Sequence, residues 1–128
     1  MPHDPKYESD ATPSSELVVR YLRAQQSDDS SVSLAAVHYR GSQEEFDLGV
    51  MYVGSADPLA RVVGADVLAQ LGWGEQSFRD ESIDALIPLL SDPDEDVIYS
   101  AAVALGHRRA ERAIPRLVKL ARVWEKTP

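Results

Sequence analysis

The chain has 128 residues, of which 44% are hydrophobic and 7% aromatic, which suits a single domain with a core of aliphatic side chains. It has no cysteine, which excludes disulfides and thiolate metal sites, and no apolar run approaches the ~20 residues that cross a bilayer. The net charge of −8 disfavours binding to nucleic-acid phosphates. Since the first residues also lack the pattern of a secretion signal, we expect a cytoplasmic protein without a membrane partner.

The charge is distributed unevenly along the chain. Residues 1–106 contain 6 basic and 19 acidic residues, a net charge of −13. Residues 107–128 contain 7 basic residues against Glu111 and Glu125, a net charge of +5. A basic end on an acidic body can attract an acidic partner or a second copy of the chain. An asymmetry without any function is the competing interpretation.

The N-terminal part predicts a tail followed by one helix. Residues 1–11 contain two prolines, four charged residues and little that is apolar, which is typical of a disordered segment. Thr12-Pro13 is typical of a helix start and predicts a helix over 14–26. Its apolar residues form one stripe, so we expect this helix to cap one end of the domain.

The next segment predicts two helices, over 31–40 and 43–53, separated by Gly41. Ser42 and Glu45 have the spacing of a capping box at the start of the second helix. On that helix we expect Gly49 to allow close approach of a neighbour, and three residues to face inward: Phe46, Val50 and Val53.

Four more helices are predicted over 58–71, 79–91, from Asp92-Pro93 to Leu105, and 110–125. Pro88 should bend the helix over 79–91, because proline has no N–H for the helical hydrogen bond. The expected buried stripes are Val63, Val67, Leu68 and Leu71, then Ile83, Leu86, Ile87 and Leu90, then Val97, Ala101, Ala102 and Leu105, and finally Ile114, Leu117, Val118 and Ala121. No strand pattern competes with this assignment, so the prediction is an all-α protein.

A repeat underlies these helices. A valine precedes a glycine by nine residues three times, and the glycines are 31 and then 34 residues apart: Val32/Gly41, Val63/Gly72 and Val97/Gly106. Each glycine is expected to end its helix in the left-handed conformation. Self-similarity at this spacing predicts stacked helical hairpins that share a core with their neighbours.

One repeat resembles a known family. Residues 91–117 contain an Asp-Pro turn, then paired alanines, Leu105-Gly106 and Ile114-Pro115. This segment resembles a HEAT repeat, and in particular the short bacterial type also found in phycobilisome lyases; residues 57–90 match less closely and 30–54 least. The resemblance implies an α-solenoid over 12–128, with about three HEAT-like hairpins behind an N-terminal capping helix.

No catalytic site is recognisable. Motifs for a nucleophilic serine or for phosphate binding are absent, and none of the three histidines is followed by a glutamate as in HEAT-like di-iron enzymes. We therefore expect no enzyme activity, cofactor or metal. The second helices of HEAT hairpins line a concave face, so the resemblance indicates a partner site there, with these candidate residues: Asp47, Asp84, Arg112, Arg116 and Lys119. A solvated helix face would explain the same residues.

The expected function is thus a non-catalytic protein-binding module that acts as an adaptor, regulator or inhibitory partner through its concave face. Self-association through the last helix, which ends in Val123 and Trp124, is a further expectation. Two alternatives remain. The repeat subtype implies an accessory subunit of a bilin lyase-type system for chromophore attachment, and the chain can also be one section of a longer solenoid.

Overall fold

The computed structural model describes residues 10–125, and all regular structure in that range is helical. The α-helices are α1 (Ser14–Gln26), α2 (Ala35–Arg40), α3 (Gln43–Val53), α4 (Pro58–Ala69), α5 (Arg79–Leu86), α6 (Glu95–His107) and α7 (Ile114–Glu125). Short 3-10 segments occupy Trp73–Glu75, Ile87–Ser91 and Glu111–Ala113. The all-α prediction is confirmed, whereas most of the predicted tail over 1–11 lies outside the described residues.

The helices form three consecutive hairpins, α2–α3, α4–α5 and α6–α7, with α1 placed before them. Helix α4 is central, because it packs against α3 on one side and α6 on the other and also contacts α1. The predicted stripe of α4 is completely buried, namely Val63, Val67, Leu68 and Leu71. Hairpins that share one hydrophobic core in this way confirm the predicted α-solenoid.

Glycines bring α3 and α4 into direct contact. A Cβ on Gly64 would lie 2.5 Å from the backbone nitrogen of Val53, and a Cβ on Gly49 would lie 2.5 Å from Leu68 Cδ2. Only hydrogen fits at either position, so the close approach predicted at Gly49 is confirmed. Val50, the next residue on α3, is exposed. The prediction that it faces inward was wrong, because Gly49 is the residue that meets α4.

Two of the three repeat glycines are left-handed as predicted, but only Gly41 directly ends its helix, because α4 already ends at Ala69, before Gly72. Gly41 and Gly72 are left-handed, with φ of +50° and +71°, and the N–H of Gly72 donates to the carbonyl of His38 at 2.8 Å, which joins adjacent hairpins. The prediction for Gly106 was wrong. It lies within α6, which continues to His107, and the left-handed residue is Arg109, with φ of +52°.

Two other boundaries differ from the prediction. Helix α2 begins at Ala35 because the Asp29 carboxylate accepts hydrogen bonds from the Ser31 amide and hydroxyl, at 2.9 and 2.6 Å, which hold the preceding residues in a turn. The helix predicted over 79–91 ends as an α-helix at Leu86 and continues as the 3-10 segment that contains Pro88. The interruption expected at Pro88 is therefore confirmed.

Two arginines connect successive hairpins. Arg61 of α4 forms a two-pronged ion pair with Asp92, at 2.8 and 3.0 Å, in front of α6. Arg108, directly after α6, is buried and donates to the carbonyl oxygens of Leu68 and Ser77 at 2.8 and 2.9 Å. Both contacts fix the position of α6 relative to α4, and Arg108 was not singled out by the sequence analysis.

Candidate binding surfaces

The structure brings three of the five predicted partner-binding residues to the junction of α5 and α7. Arg112 forms an ion pair with Asp84 and donates to the carbonyl of Asp80 at 3.2 Å. Arg116 donates a hydrogen bond to the hydroxyl of Ser91. These bonds join α5 and the 3-10 segment after it to the start of α7 and the 3-10 segment before it.

The other two predicted residues lie elsewhere. Asp47 is exposed on α3, where it accepts a hydrogen bond from Gln43 at 2.8 Å. Lys119 is exposed on α7 and forms no ion pair with any residue in the range 10–125. No bond in that range links Asp47 to the α5–α7 junction, so the five residues are not one bonded cluster.

Helix α7 presents to the core a different side from the one that the sequence predicts. None of its residues is buried, and its exposed large apolar side chains are Ile114 (53%), Val118 (43%), Val123 (55%) and Trp124 (42%). The predicted inward stripe with Ile114 and Val118 was wrong. The residues that meet the core are Ala113, just before α7, and the partly buried Leu117 and Leu120.

The exposed side of α7 combines apolar and cationic groups. Three basic residues, Arg116, Lys119 and Arg122, lie on this helix with a single acidic one, Glu125. A shallow depression of about 420 Å³ is lined by Pro115, Val118, Lys119, Arg122 and Val123. We call this depression together with Ile114 the end surface. It is basic, whereas residues 1–106 carry a net charge of −13.

A second concavity of about 490 Å³ lies where α1, α2, α4 and α6 meet. We call it the Asp66 groove, and its lining includes Tyr21, His38, Asp66, Trp73, Val103 and His107. The Tyr21 hydroxyl donates to the Asp66 carboxylate at 2.7 Å. His38 Nε2 lies 3.0 Å from the backbone carbonyl oxygen of Asp66. Because a carbonyl oxygen can only accept, this ring nitrogen carries the proton.

Burial shifts the pKa values of the titratable groups in this groove. It raises the pKa of Asp66 and outweighs the opposing hydrogen bond from Tyr21. It also lowers the pKa of His38, so that the imidazole is neutral at neutral pH. Burial and the nearby Asp66 carboxylate raise the pKa of Tyr21 far above its usual range. One carboxylate, flanked by neutral groups, thus lies in the groove.

The sequence analysis missed this groove because Tyr21 and Asp66 are 45 residues apart. One signal was available. Asp66 is the single charged residue between Val62 and Leu71, inside a strongly apolar stretch of the chain. A carboxylate at such a position needs either a buried partner or a functional role.

Within residues 10–125, histidine and acidic side chains do not assemble into groups of three that could hold a metal ion. None of the helices in this range is both long and apolar enough to span a bilayer. A family model described as HEAT repeats matches residues 48–125, which extend from α3 to the end of α7. Neither the curated proteins nor the solved structures include a significant match to the chain.

Proposed function

Because this chain belongs to the HEAT-repeat family, we propose that it is a non-catalytic module that binds another protein. Stacked helical repeats typically use extended surfaces for binding. The observation that carries the proposal is the end surface, where Ile114 and Val118 are exposed beside Lys119 and Arg122. Apolar patches bordered by charge are characteristic of protein interfaces. The partner that fits is a protein with an apolar surface bordered by acidic residues.

Recognition would divide between two kinds of contact. Burial of Ile114 and Val118 supplies the non-directional attraction, and Lys119 and Arg122 select an acidic partner and accelerate its approach. Arg112 and Asp84 contribute indirectly, because their ion pair joins α5 to the 3-10 segment that leads into α7. Asp47 lies on α3 and has a role only if the partner also extends along the concave face.

The test exchanges the charge of the end surface without disturbing the core. Lys119→Glu combined with Arg122→Glu should weaken partner binding at least about tenfold and leave the melting temperature unchanged, because both side chains are exposed on the end surface. The matched control is Arg20→Glu with Arg23→Glu, which makes the same charge change on the exposed side of α1. The partner is first identified by affinity capture from native cell extract, and its affinity is then measured by titration. Unchanged affinity, or an equal loss in both double variants, would refute the end surface as the binding site.

The proposal has two finer parts that depend on sequence alone. The repeat subtype favours a bacterial protein, and the composition favours a cytoplasmic one.

A second copy of the chain is one partner with the required acidic surface, since residues 1–106 carry a net charge of −13. Association that increases with concentration in sedimentation experiments, and disappears in the Lys119→Glu, Arg122→Glu variant, would identify that partner.

A second candidate function follows from the repeat sequence at residues 91–117, which resembles the type found in phycobilisome lyases. In that case the protein would assist the attachment of a bilin to another protein. The Asp66 groove argues against it as a pigment site, because the carboxylates of a bilin would meet Asp66 and the lining contains no lysine or arginine. Absorbance by a co-purified pigment, beyond the protein band, would favour this alternative.

A further inference from the structure

We propose that the Asp66 groove receives an arginine or lysine side chain of a protein partner, with its cationic group on the Asp66 carboxylate. This inference rests on the proposed function, because it takes the partner to be a protein. It concerns a different surface, formed by α1, α2, α4 and α6 rather than by α7.

Asp66 has no cationic partner within residues 10–125. The hydroxyl of Tyr21 is the one side-chain group in the described range that bonds to its carboxylate, and it donates to Oδ2. No lysine or arginine within residues 10–125 forms an ion pair with Asp66. Its second oxygen, Oδ1, accepts no hydrogen bond from this part of the chain.

Two other enclosed carboxylates in the range 10–125 have hydrogen bonds at both oxygens. Asp92 pairs with Arg61 at 2.8 and 3.0 Å, and Glu45, which has no ion pair, accepts hydrogen bonds from two serines at both of its oxygens. A partly buried carboxylate with only one bonded oxygen is unfavourable for folding, because burial removes water that would solvate its charge. Asp66 is the exception here, and an exception of this kind is typical of a binding site.

The shape and lining of the groove fit a long cationic side chain. Apolar walls from Val32, Leu34 and Val103 can cover the methylene groups of an arginine or lysine, and Val103 is itself exposed. The cationic head would then reach the single carboxylate, with Ser33 and Ser100 in the same lining as further hydrogen-bond acceptors. An anionic ligand would be repelled, and a neutral ligand would leave the charge of Asp66 uncompensated.

Acidity should oppose this binding. The titratable groups that share the groove with Asp66 are Tyr21 from α1, His38 from α2 and His107 from α6. In acid, the Asp66 carboxylate takes up a proton at a higher pH than an ordinary aspartate, and the buried His38 becomes cationic. Both changes disfavour a second cation, so affinity should fall as the pH decreases.

The test uses the full chain and two blocked amino acids, N-acetyl-arginine-N-methylamide and the corresponding citrulline derivative, which has the same shape without the charge. We expect saturable NMR shifts at the Trp73 indole and the His38 ring with the arginine probe. The citrulline probe should bind at least about tenfold more weakly, as should arginine to an Asp66→Asn variant. The matched control is Asp28→Asn, which removes an exposed carboxylate and should leave the affinity unchanged.

Each outcome decides the proposal. No saturable shift up to about 100 mM arginine probe, equal binding of citrulline, or equal affinities of the two variants would overturn it. The arginine–citrulline comparison uses the unaltered chain and therefore stays valid even if Asp66→Asn fails to fold. If putrescine binds at least about a hundredfold more tightly than the arginine probe, the ligand of the groove is a free polyamine and not a protein side chain, and the proposal is wrong. Because the probes do not use α7, failure here and failure at the end surface are distinguishable.

Discussion

Replacement of Arg108 by methionine tests how the hairpins are held together. The Arg108 side chain is 0% exposed and extends from the end of α6 into the junction of α4 and α5. Its guanidinium donates to five acceptors at 2.8–3.4 Å, namely the carbonyls of Leu68, Leu71 and Ser77 and the side chains of Gln76 and Ser82. Burial lowers its pKa to about 10, so the group is still cationic at neutral pH.

The magnitude follows from the groups that lose their partner. Methionine retains much of the apolar part of the arginine side chain but donates no hydrogen bond. The three carbonyl oxygens that the guanidinium contacts therefore lose a donor. An unsatisfied buried group costs about 1–3 kcal/mol, and the loss is partly offset because the cation no longer has to be buried. We therefore expect Arg108→Met to lower the free energy of unfolding by about 3–4 kcal/mol, or the melting temperature by roughly 10–15 °C.

The assay is urea unfolding at neutral pH, followed by circular dichroism, with Arg20→Met as the control. Arg20 forms an exposed pair with Glu16 one helical turn away, so its loss should cost less than about 0.5 kcal/mol. Arg108→Lys should be intermediate, because lysine keeps the charge but has fewer donors in a different geometry. A cost for Arg108→Met below about 1 kcal/mol, or equal to that of the control, would refute the reasoning.

Four other variants test the core and the helix contacts by the same unfolding assay. Leu105→Ala should cost about 2–5 kcal/mol, because this side chain is buried between hairpins; under about 0.5 kcal/mol would contradict its assignment to the core. Gly64→Ala should cost about 1–3 kcal/mol, because the new Cβ would lie 2.5 Å from a backbone nitrogen of α3. Gly106→Ala should instead raise the free energy of unfolding by about 0.5–1 kcal/mol, since Gly106 lies in α6 and a Cβ there would meet no atom within 4 Å. A change in stability of the same sign for both glycine variants would contradict this difference. Burial raises the pKa of Glu45, but hydrogen bonds from two serines outweigh burial and leave the pKa below 4.5. The carboxylate therefore stabilises the folded state above that pH, and this stabilisation is lost as the pH falls through the lowered pKa. Glu45→Gln should therefore lose less stability in acid than the wild type, and parallel pH profiles would be inconsistent with this.

The sequence alone determined the elements whose apolar residues lie on one side. Helix α4 is the clearest case, because its start at Asp57-Pro58, its buried stripe and its repeat glycine at position 72 were all predicted and confirmed. Local chemistry also sufficed at Ser42 and Glu45, where the Ser42 amide donates to the carboxylate at 2.8 Å. Signals of this kind act within a few residues, so neighbours in the sequence contain all the information needed.

Tertiary structure decided the rest. The last helix has apolar residues on two sides, so periodicity alone could not select which side docks, and contacts of Leu117 and Leu120 with the core left Ile114 and Val118 exposed. Gly106 has the repeat spacing but lies within α6, and the left-handed turn comes three residues later at Arg109, directly after the buried Arg108. The Asp66 groove likewise needs Tyr21, 45 residues away. Local sequence specifies the helices, but contacts between distant residues fix how each helix is turned and which charges become enclosed.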